Sequence, residues 1–389
     1  MTRVLMLSCQ YMPDVFGGAE KQCQRVATEL AARGHRVCIL TSTQRSGQAG
    51  TRNEQGVQVH RIRTWVAPDL LGRWMADSVW WLAAVLIWGR RRRGEFDLLH
   101  CHQGKFGAFV AVCLGRLMGL PVLIKIGNSE DDMDLRCLQR KALVGAPMVR
   151  HVLARRPTFV AISAVIRANL NAFGCRDVVA IPNGISSRQM PAEVARADRP
   201  AAEDGGPQFF YHGRIEPIKR VDVLLQAFAL LAADCPGAGL HILGEGGALA
   251  ACRAQARAAG LGQRVHFHGL VADAIAAVQP YDVFVNASRS EGFSNALLEA
   301  LLLGKVLVST PVSGAAEAIV PGVNGELAAD FSAPALAEAM RRALALLGPD
   351  ERRAAAAASD RLVTRHFAMP AVVDQYERLY HSLAIGGAT

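Results

Sequence analysis

Short apolar runs alternate with longer stretches of helical period along most of the chain. The first half holds RVLMLS, RVCILTS, FDLLHCH, PVLIKIG, TFVAIS and VVAIPNG. Runs this short and this apolar read as buried strands. Between several of them lie helix-like segments such as AEKQCQRVATELAARG and GAFVAVCLGRLMG. Strand–helix–strand alternation predicts a parallel sheet covered on both faces. The pattern breaks after Asn183, where SSRQMPAEVARADRPAAEDGGP is small, charged and proline-bearing and reads as a linker. It then restarts with QFFYHGRI, GLHILGEGG, RVHFHGLV, YDVFVNASRS and KVLVSTPVSG, with VDVLLQAFALLAAD and ALAACRAQARAAGLG between the first three. The predicted fold class is α/β, in two consecutive doubly wound halves. Their bounds are 1–186 and 207–368, with the linker at 187–206. PAVVDQYERLYHSL, within 369–389, reads as a terminal helix, and the alanine-rich ERRAAAAASDR as a surface helix.

Composition agrees with this reading. The 389 residues suffice for two domains, and with 51% apolar and 20% charged residues the chain can build sizeable cores. Nine dispersed cysteines without CxxC pairs suggest reduced thiols in a cytosolic protein. The opening MTRVLMLSCQYMPD has too short an apolar run for a signal peptide and reads as a first strand. Charge is uneven. Residues 1–190 carry 26 Lys/Arg against 13 Asp/Glu, while residues 191–389 carry 17 against 21. A basic first half suits an anionic partner: a membrane surface, a phosphorylated substrate or nucleic acid. General arginine richness is the plainer alternative.

In open parallel sheets, ligands bind at the carboxyl ends of the strands, and unusual residues cluster there. Arg214 and Lys219 follow the strand in YHGRIEPIK and could neutralise a phosphate or diphosphate, or could decorate the start of a surface helix. Gly244, Gly246 and Gly247 permit close backbone approach to a ligand, without the full GxGxxG fingerprint. Gly17 and Gly18 open a helix whose amides could hold an anion, or they serve a tight turn. His100 and His102 share a strand face. With no further ligand in view, a contact to a polar substrate is favoured over a metal site. Glu299 is the sole charge in ALLEALLL, eight residues after Glu291. Burying a lone carboxylate costs several kcal/mol. Ser294 can cap that helix, placing Glu299 in its second turn. Both glutamates could then accept hydrogen bonds from vicinal hydroxyls. A basic core partner, or an exposed edge, is the alternative.

These stretches together resemble a known family. GGAE at 17–20, DLLHCH at 97–102, IPNGI at 181–185, GRIEPIK at 213–219, the GEGG turn and EGFSNALLEA come in the order of the family 4 retaining glycosyltransferases, and essentially the whole chain is covered. The resemblance implies the GT-B architecture: two Rossmann-like domains facing a central cleft, with 369–389 packing back on the first. It implies that Arg214 and Lys219 hold the donor's diphosphate and that Glu291 meets the donor sugar. Amides near Phe293, Ser294 and Asn295 would approach sugar and phosphates. Glu299 would hold the ribose hydroxyls, and Gly18, Gly213, Gly244 and Gly246 would line the donor. His102, rather than His100, would line the transfer site. The reaction implied is metal-independent transfer with retention, from a UDP- or GDP-linked sugar to an acceptor hydroxyl, with no cofactor. One departure concerns the acceptor side: where family members often carry a threonine–histidine pair, this chain has Lys125 and Asn128.

All five tryptophans, Trp65, Trp74, Trp80, Trp81 and Trp88, fall within 24 residues, and VWWLAAVLIW runs into GRRRR. The run is too short to span a bilayer. It suits a helix lying on an anionic membrane through residues 65–93, or else a buried crossover helix. Membrane contact points to a lipid-linked saccharide acceptor in cell-surface polysaccharide synthesis, at the inner face of the cell membrane. A sugar-nucleotide epimerase of the same fold and a non-enzymatic nucleotide-sugar-binding protein are the rival readings. Nucleic-acid binding is disfavoured, because the tryptophan cluster is too apolar for a stacking groove.

Overall fold

The computed structural model describes residues 1–15, 17–68, 75–186, 206–271 and 273–386. The chain divides into two compact units, Met1–Gly184 with Met369–Thr389, and Ile185–Ala368. The expected linker at 187–206 lies outside the described residues except for Gly206.

The first unit is built on β1 (Arg3–Leu7), β2 (Arg36–Thr43), β3 (Gly50–Glu54), β4 (Val57–Arg63), β5 (Leu98–Cys101), β6 (Val122–Ile126), β7 (Thr158–Ala161) and β8 (Val178–Ala180). Its helices are α1 (Gly18–Ala32), α2 (Met75–Arg91), α3 (Phe106–Met118), α4 (Asp134–Gln139), α5 (Gly145–Ala154) and α6 (Ala164–Phe173). The strand order is β3-β4-β2-β1-β5-β6-β7-β8. All neighbours are parallel except β3 and β4. Val4, Leu5, Met6 and Leu7 are all fully buried, as a central parallel strand covered on both faces requires. The β3–β4 hairpin is not among the predicted elements. Its strands are polar and half exposed, and it closes through Gln55 and Gly56, with φ of 53° and 81°. Two positive φ angles are what a two-residue hairpin turn needs to match strand twist.

The second unit holds β9 (Gln208–His212), β10 (Gly239–Leu243), β11 (Val265–Gly269), β12 (Val283–Asn286), β13 (Val306–Ser309) and β14 (Gly325–Leu327), in the order β11-β10-β9-β12-β13-β14, all parallel. Its helices are α7 (Val221–Asp234), α8 (Leu249–Ala258), α9 (Ala274–Ala277), α10 (Asn295–Leu302), α11 (Ala315–Ala318), α12 (Ala333–Ala343) and α13 (Pro349–Leu362). The alanine run of α13 is only half at the surface. Ala355, Ala358 and Ser359 are buried, and Ala356 lies so close to Gly304 that a Cβ there would come within 2.9 Å. Small side chains permit that approach.

The last helix, α14 (Met369–Gly386), belongs to the first unit's core. Val372, Val373, Tyr376 and Tyr380 are fully buried against residues of β1, β5, β6 and α1. Each such side chain stabilises the unit by about 1.5–3 kcal/mol.

Candidate active site

In the second unit, candidate residues gather at the carboxyl ends of β9, β10 and β12. Past His212, the end of β9, the chain runs through Gly213 and Arg214 into a turn of 3-10 helix, Pro217–Lys219, before α7. The Ile218 carbonyl accepts from the Arg289 amide at 2.9 Å, joining this turn to the loop after β12. Lys219 Nζ then donates to Glu291 Oε1 at 2.5 Å. Ser288 Oγ lies 2.8 Å from the same oxygen and 2.8 Å from Asn286 Oδ1. Arg214 is exposed, and its carbonyl accepts from the Tyr211 hydroxyl at 2.7 Å. The buried Tyr211 phenol is pushed up first by burial and next by the Glu291 carboxylate, while the Arg214 guanidinium opposes the rise. The phenol thus feels both charges.

Helix α10 starts where expected: Ser294 Oγ accepts from the Leu297 amide at 3.3 Å. The Phe293 ring turns inward, 5.2 Å from Phe367 and against Gly314. Glu299, in the second turn, is 7% exposed. Facing it at 3.7 Å is His212 Nε2, also buried. His212 is a site residue missing from the sequence-based set. Its signal was its position as the last residue of β9, directly before GRI.

The glycines of the GEGG turn have a physical reason within the protein. Gly244 and Gly246 have φ of 141° and 157°. A Cβ on Gly244 would meet the Gly213 carbonyl oxygen at 1.9 Å, and one on Gly246 the Ile215 oxygen at 2.3 Å. Paired backbone bonds, Gly213 N to Leu243 O and Ile215 N to Glu245 O, press the two turns together. Both turns thereby sit at the sheet's carboxyl end at fixed height.

In the first unit, α1 begins at Gly18, which is exposed, after the N-cap Gly17. Glu20, the last residue of GGAE, is a further buried charge at this helix start that the sequence pattern alone does not single out. Its buried carboxylate folds back so closely that a Cβ on Gly17 would lie 2.2 Å from Oε2, and Oε1 accepts from Gln103 Nε2 at 2.6 Å. A carboxylate at a helix N-terminus is favoured by the dipole. His102 follows β5 and is 3% exposed. Its ring stacks on His100 with centroids 4.0 Å apart, and neither of its nitrogens has a hydrogen-bond partner among the described residues. His100 Nδ1, by contrast, is 2.7 Å from the Tyr380 hydroxyl, which ties that ring to α14. Burial, and then neighbouring positive charge, hold both imidazoles well below the ordinary histidine range, so both are neutral. Among the described residues no group of three or more His, Cys, Asp or Glu is arranged to hold a metal ion.

The tryptophan-rich segment divides. Trp81 is fully buried, and Trp88 stacks on Phe96 under Arg92. Trp65 and Trp80 are 74% and 50% exposed, and Trp74 lies outside the described residues. Asp77, buried, lies within hydrogen-bonding reach of the amides of Trp65 and Val66. Val79, Trp80 and Ile87 form an exposed apolar stripe on α2 that ends at the exposed Arg90, Arg91 and Arg93. Among the described residues no helix is long and apolar enough to cross a membrane.

Comparison with known proteins decides the family. Residues 17–184 match the family described as "Glycosyl transferase 4-like domain", and residues 206–345 match "Glycosyl transferases group 1". The chain belongs to the family 4 glycosyltransferases. This glycosyltransferase is similar to glycogen synthase of Mycobacterium tuberculosis, with 27% identity over 91% of this chain and 89% of that protein. It is similar also to the phosphatidyl-myo-inositol mannosyltransferase of the same organism, with 26% identity over 98% and 97%. Its fold is the GT-B fold of solved relatives. Sucrose-phosphate synthase from Thermosynechococcus elongatus superposes with a TM-score of 0.81, at 20% identity, over 99% of this chain and 100% of that one. Anabaena HepE, solved in complex with UDP, superposes with a TM-score of 0.75, at 18% identity, over 98% and 100%.

Proposed function

We propose that this glycosyltransferase takes its sugar from a UDP- or GDP-linked donor and transfers it, with retention and without a metal ion, to an acceptor hydroxyl. The observation that carries the reading is the contact of Lys219 with Glu291 at the carboxyl end of the second unit's sheet, with Glu299 buried beside His212. Breaking a sugar–phosphate bond builds positive character on the anomeric carbon and negative charge on the departing diphosphate. Arg214 and Lys219 are the cations for that diphosphate, and preorganised charge is worth most in a site shielded from water. Glu291 and Glu299 are acceptors for hydroxyls of the sugar and the ribose. The acceptor oxygen attacks on the leaving-group face and passes its proton to the departing phosphate oxygen, which keeps the anomeric configuration. No cofactor enters the scheme.

The acceptor is a saccharide, lipid-linked, and the enzyme works at the cytoplasmic face of a membrane in cell-surface polysaccharide synthesis. Support comes from the exposed Trp65, Trp80, Val79 and Ile87 beside an arginine cluster, which fits a helix lying in an anionic interface. The mannosyltransferase relative is named for a phosphatidylinositol acceptor. Thermal-shift screening of UDP, GDP and their sugars tests the donor, since specific binding raises stability. No shift with any of them refutes the reading. Product anomer analysis separates retention from inversion.

A further inference from the structure

Three lysine or arginine side chains among the described residues are almost wholly buried: Arg61, Lys125 and Lys305. Two are fully accounted for. Arg61 pairs with Glu54 at 2.6 Å and donates to the Met12 carbonyl. Lys305 donates to the carbonyls of Gln279 and Tyr281. Lys125 is different. It is 4% exposed, and its Nζ has no hydrogen-bond partner among the described residues.

Its neighbours deepen the anomaly. Lys125 lies on β6 two residues past the core residue Leu123, so both face the layer of α1 and α14. The β5–β6 pairing ends at Cys101 opposite Ile124, one residue before His102 and Lys125. His100 and His102 both feel the Lys125 charge. Tyr376 lies over His100, with ring centroids 5.0 Å apart. Besides Lys125 Nζ, the partnerless buried atoms here are His100 Nε2, both nitrogens of His102 and the Tyr376 hydroxyl. Such groups normally find partners, and a concentration of them marks a place where a polar ligand or water belongs.

The cluster is short of negative charge. From α1, the Cys23 thiol faces Lys125, but burial pushes it up, so it stays protonated. Glu20, which also faces Cys23, accepts from Gln103. Asp134 accepts from the amides of Gly104 and Gly127 and from Asn128 Nδ2. Tyr380 is bound to His100. An ammonium offers three donors and accepts nothing.

We propose that Lys125, with His102 and Tyr376, forms an anion subsite at the carboxyl end of the first unit's sheet, and that the sugar acceptor carries a carboxylate or phosphate which that subsite holds. The proposal rests on the transferase reading above and adds the charge class of its acceptor. A neutral acceptor has no use for a buried cation. An anionic one supplies the missing counter-charge and is selected against its neutral analogue, whose binding would leave the ammonium unpaired. The empty subsite keeps its charge at a cost in stability, and burial brings Lys125 down to about 8.

Thermal shifts of the full chain test this with D-glucuronate, D-glucose and inorganic phosphate. An Arg214→Gln/Lys219→Gln background removes anion binding at the second unit. Glucuronate should raise the melting temperature and glucose should not. Lys125→Met should melt higher without ligand, and its glucuronate affinity should fall roughly tenfold or more. A glucuronate shift that survives Lys125→Met, or one that glucose matches, overturns the proposal. A shift with phosphate alone assigns the ammonium to free phosphate and overturns the acceptor assignment. So does a Lys125→Met protein that melts lower, because it marks a satisfied structural lysine. If Lys125→Met does not fold, pH decides: glucuronate affinity should drop above about 8 as the amine loses its proton, and constant affinity to higher pH overturns the subsite. The wild-type response to UDP reports separately on the donor reading.

Discussion

Replacing Lys219 with alanine removes the partner of Glu291 and the cation assigned to the donor diphosphate, and the two consequences can be measured apart. The pair is close, 2.5 Å, and both side chains are largely shielded, at 19% and 11% exposure. At an effective dielectric of about 20, unit charges about 4 Å apart attract by about 4 kcal/mol before desolvation. Breaking a buried pair costs about 3–5 kcal/mol. The lower end applies here, because Glu291 keeps Ser288 Oγ at 2.8 Å. For a unit of this size each kcal/mol is worth roughly 2–4 °C, so melting should fall by about 6–12 °C. Turnover should fall by about 10²–10³, the loss typical of removing one preorganised stabiliser of a developing anion. Adding Glu291→Gln removes the stranded carboxylate. The double variant should recover most of the melting temperature and none of the turnover. Near-normal nucleotide release by Lys219→Ala, measured well below its melting temperature, would refute the role assigned to this lysine.

Three further outcomes are expected. Burial first, then His266 and His268, brings His241 down to about 4, while its nitrogens contact His268 and Gln208. The unfolded chain therefore binds more protons between the ordinary histidine value and about 4, and stability is lost as pH falls through that window. His241→Gln should flatten the slope of urea-unfolding free energy between pH 7 and pH 5, and an unchanged slope contradicts the assignment. Replacing Arg90, Arg91 and Arg93 with serine should weaken sedimentation with phosphatidylserine vesicles by about 1 kcal/mol per cation. Trp80→Ser should weaken it further, and unaltered sedimentation removes the membrane reading. Gly244→Ala forces a Cβ against the Gly213 carbonyl at φ 141° and should cost about 3 kcal/mol or more in thermal unfolding. A wild-type melting curve would show that the two turns are not pressed together.

Most strands legible in the sequence are buried on both faces, although VVAIPNG and RVHFHGLV, on the partly exposed edge strands β8 and β11, are legible too. RVLMLS, RVCILTS and KVLVSTPVSG are apolar because parallel strands are covered above and below, and they fall on β1, β2 and β13. The β3–β4 hairpin escaped for the converse reason. GTRNE is largely exposed and carries no apolar period, and its turn uses Gln55–Gly56 in place of the Asn-Gly or Asp-Gly signal. The short β14, Gly325–Leu327, escaped too, because three residues carry no period at all. The expected surface helix at ERRAAAAASDR was half right. Alanine is silent about burial, and only the packing in the fold, with Ala355, Ala358 and Ser359 buried and Ala356 against Gly304, shows which face turns in.

For the site, what could be read was charge out of place along a single stretch. Glu299 inside ALLEALLL announces itself, because burying a carboxylate in an apolar helix needs a reason. Lys125 stands equally alone in PVLIKIG, and the same argument applied to it points to the same conclusion: a charge in a central strand is kept for a partner. In the sequence it shows only as a departure from the family pattern, because a strand lysine can point to either face and sequence periodicity does not say whether a carboxylate waits across the layer. That answer needs α1 and α14, which the chain supplies about a hundred residues upstream and some 250 residues downstream. His212 escaped for a related reason, since its partner Glu299 is distant in sequence and no local pattern joins them. The two acidic and basic singletons differ in one physical respect. Glu299 faces a histidine at 3.7 Å, whereas Lys125 has no partner for its ammonium among the described residues. If both are ligand-binding charges, Glu299 meets hydroxyls of the donor and Lys125 meets an anionic group of the acceptor, so the two singletons serve opposite chemistry. Swapping the sign at Lys125, as Lys125→Glu, should therefore abolish the preference for a charged acceptor without weakening the UDP-induced thermal shift. Parallel loss of both would show that the lysine supports the fold alone.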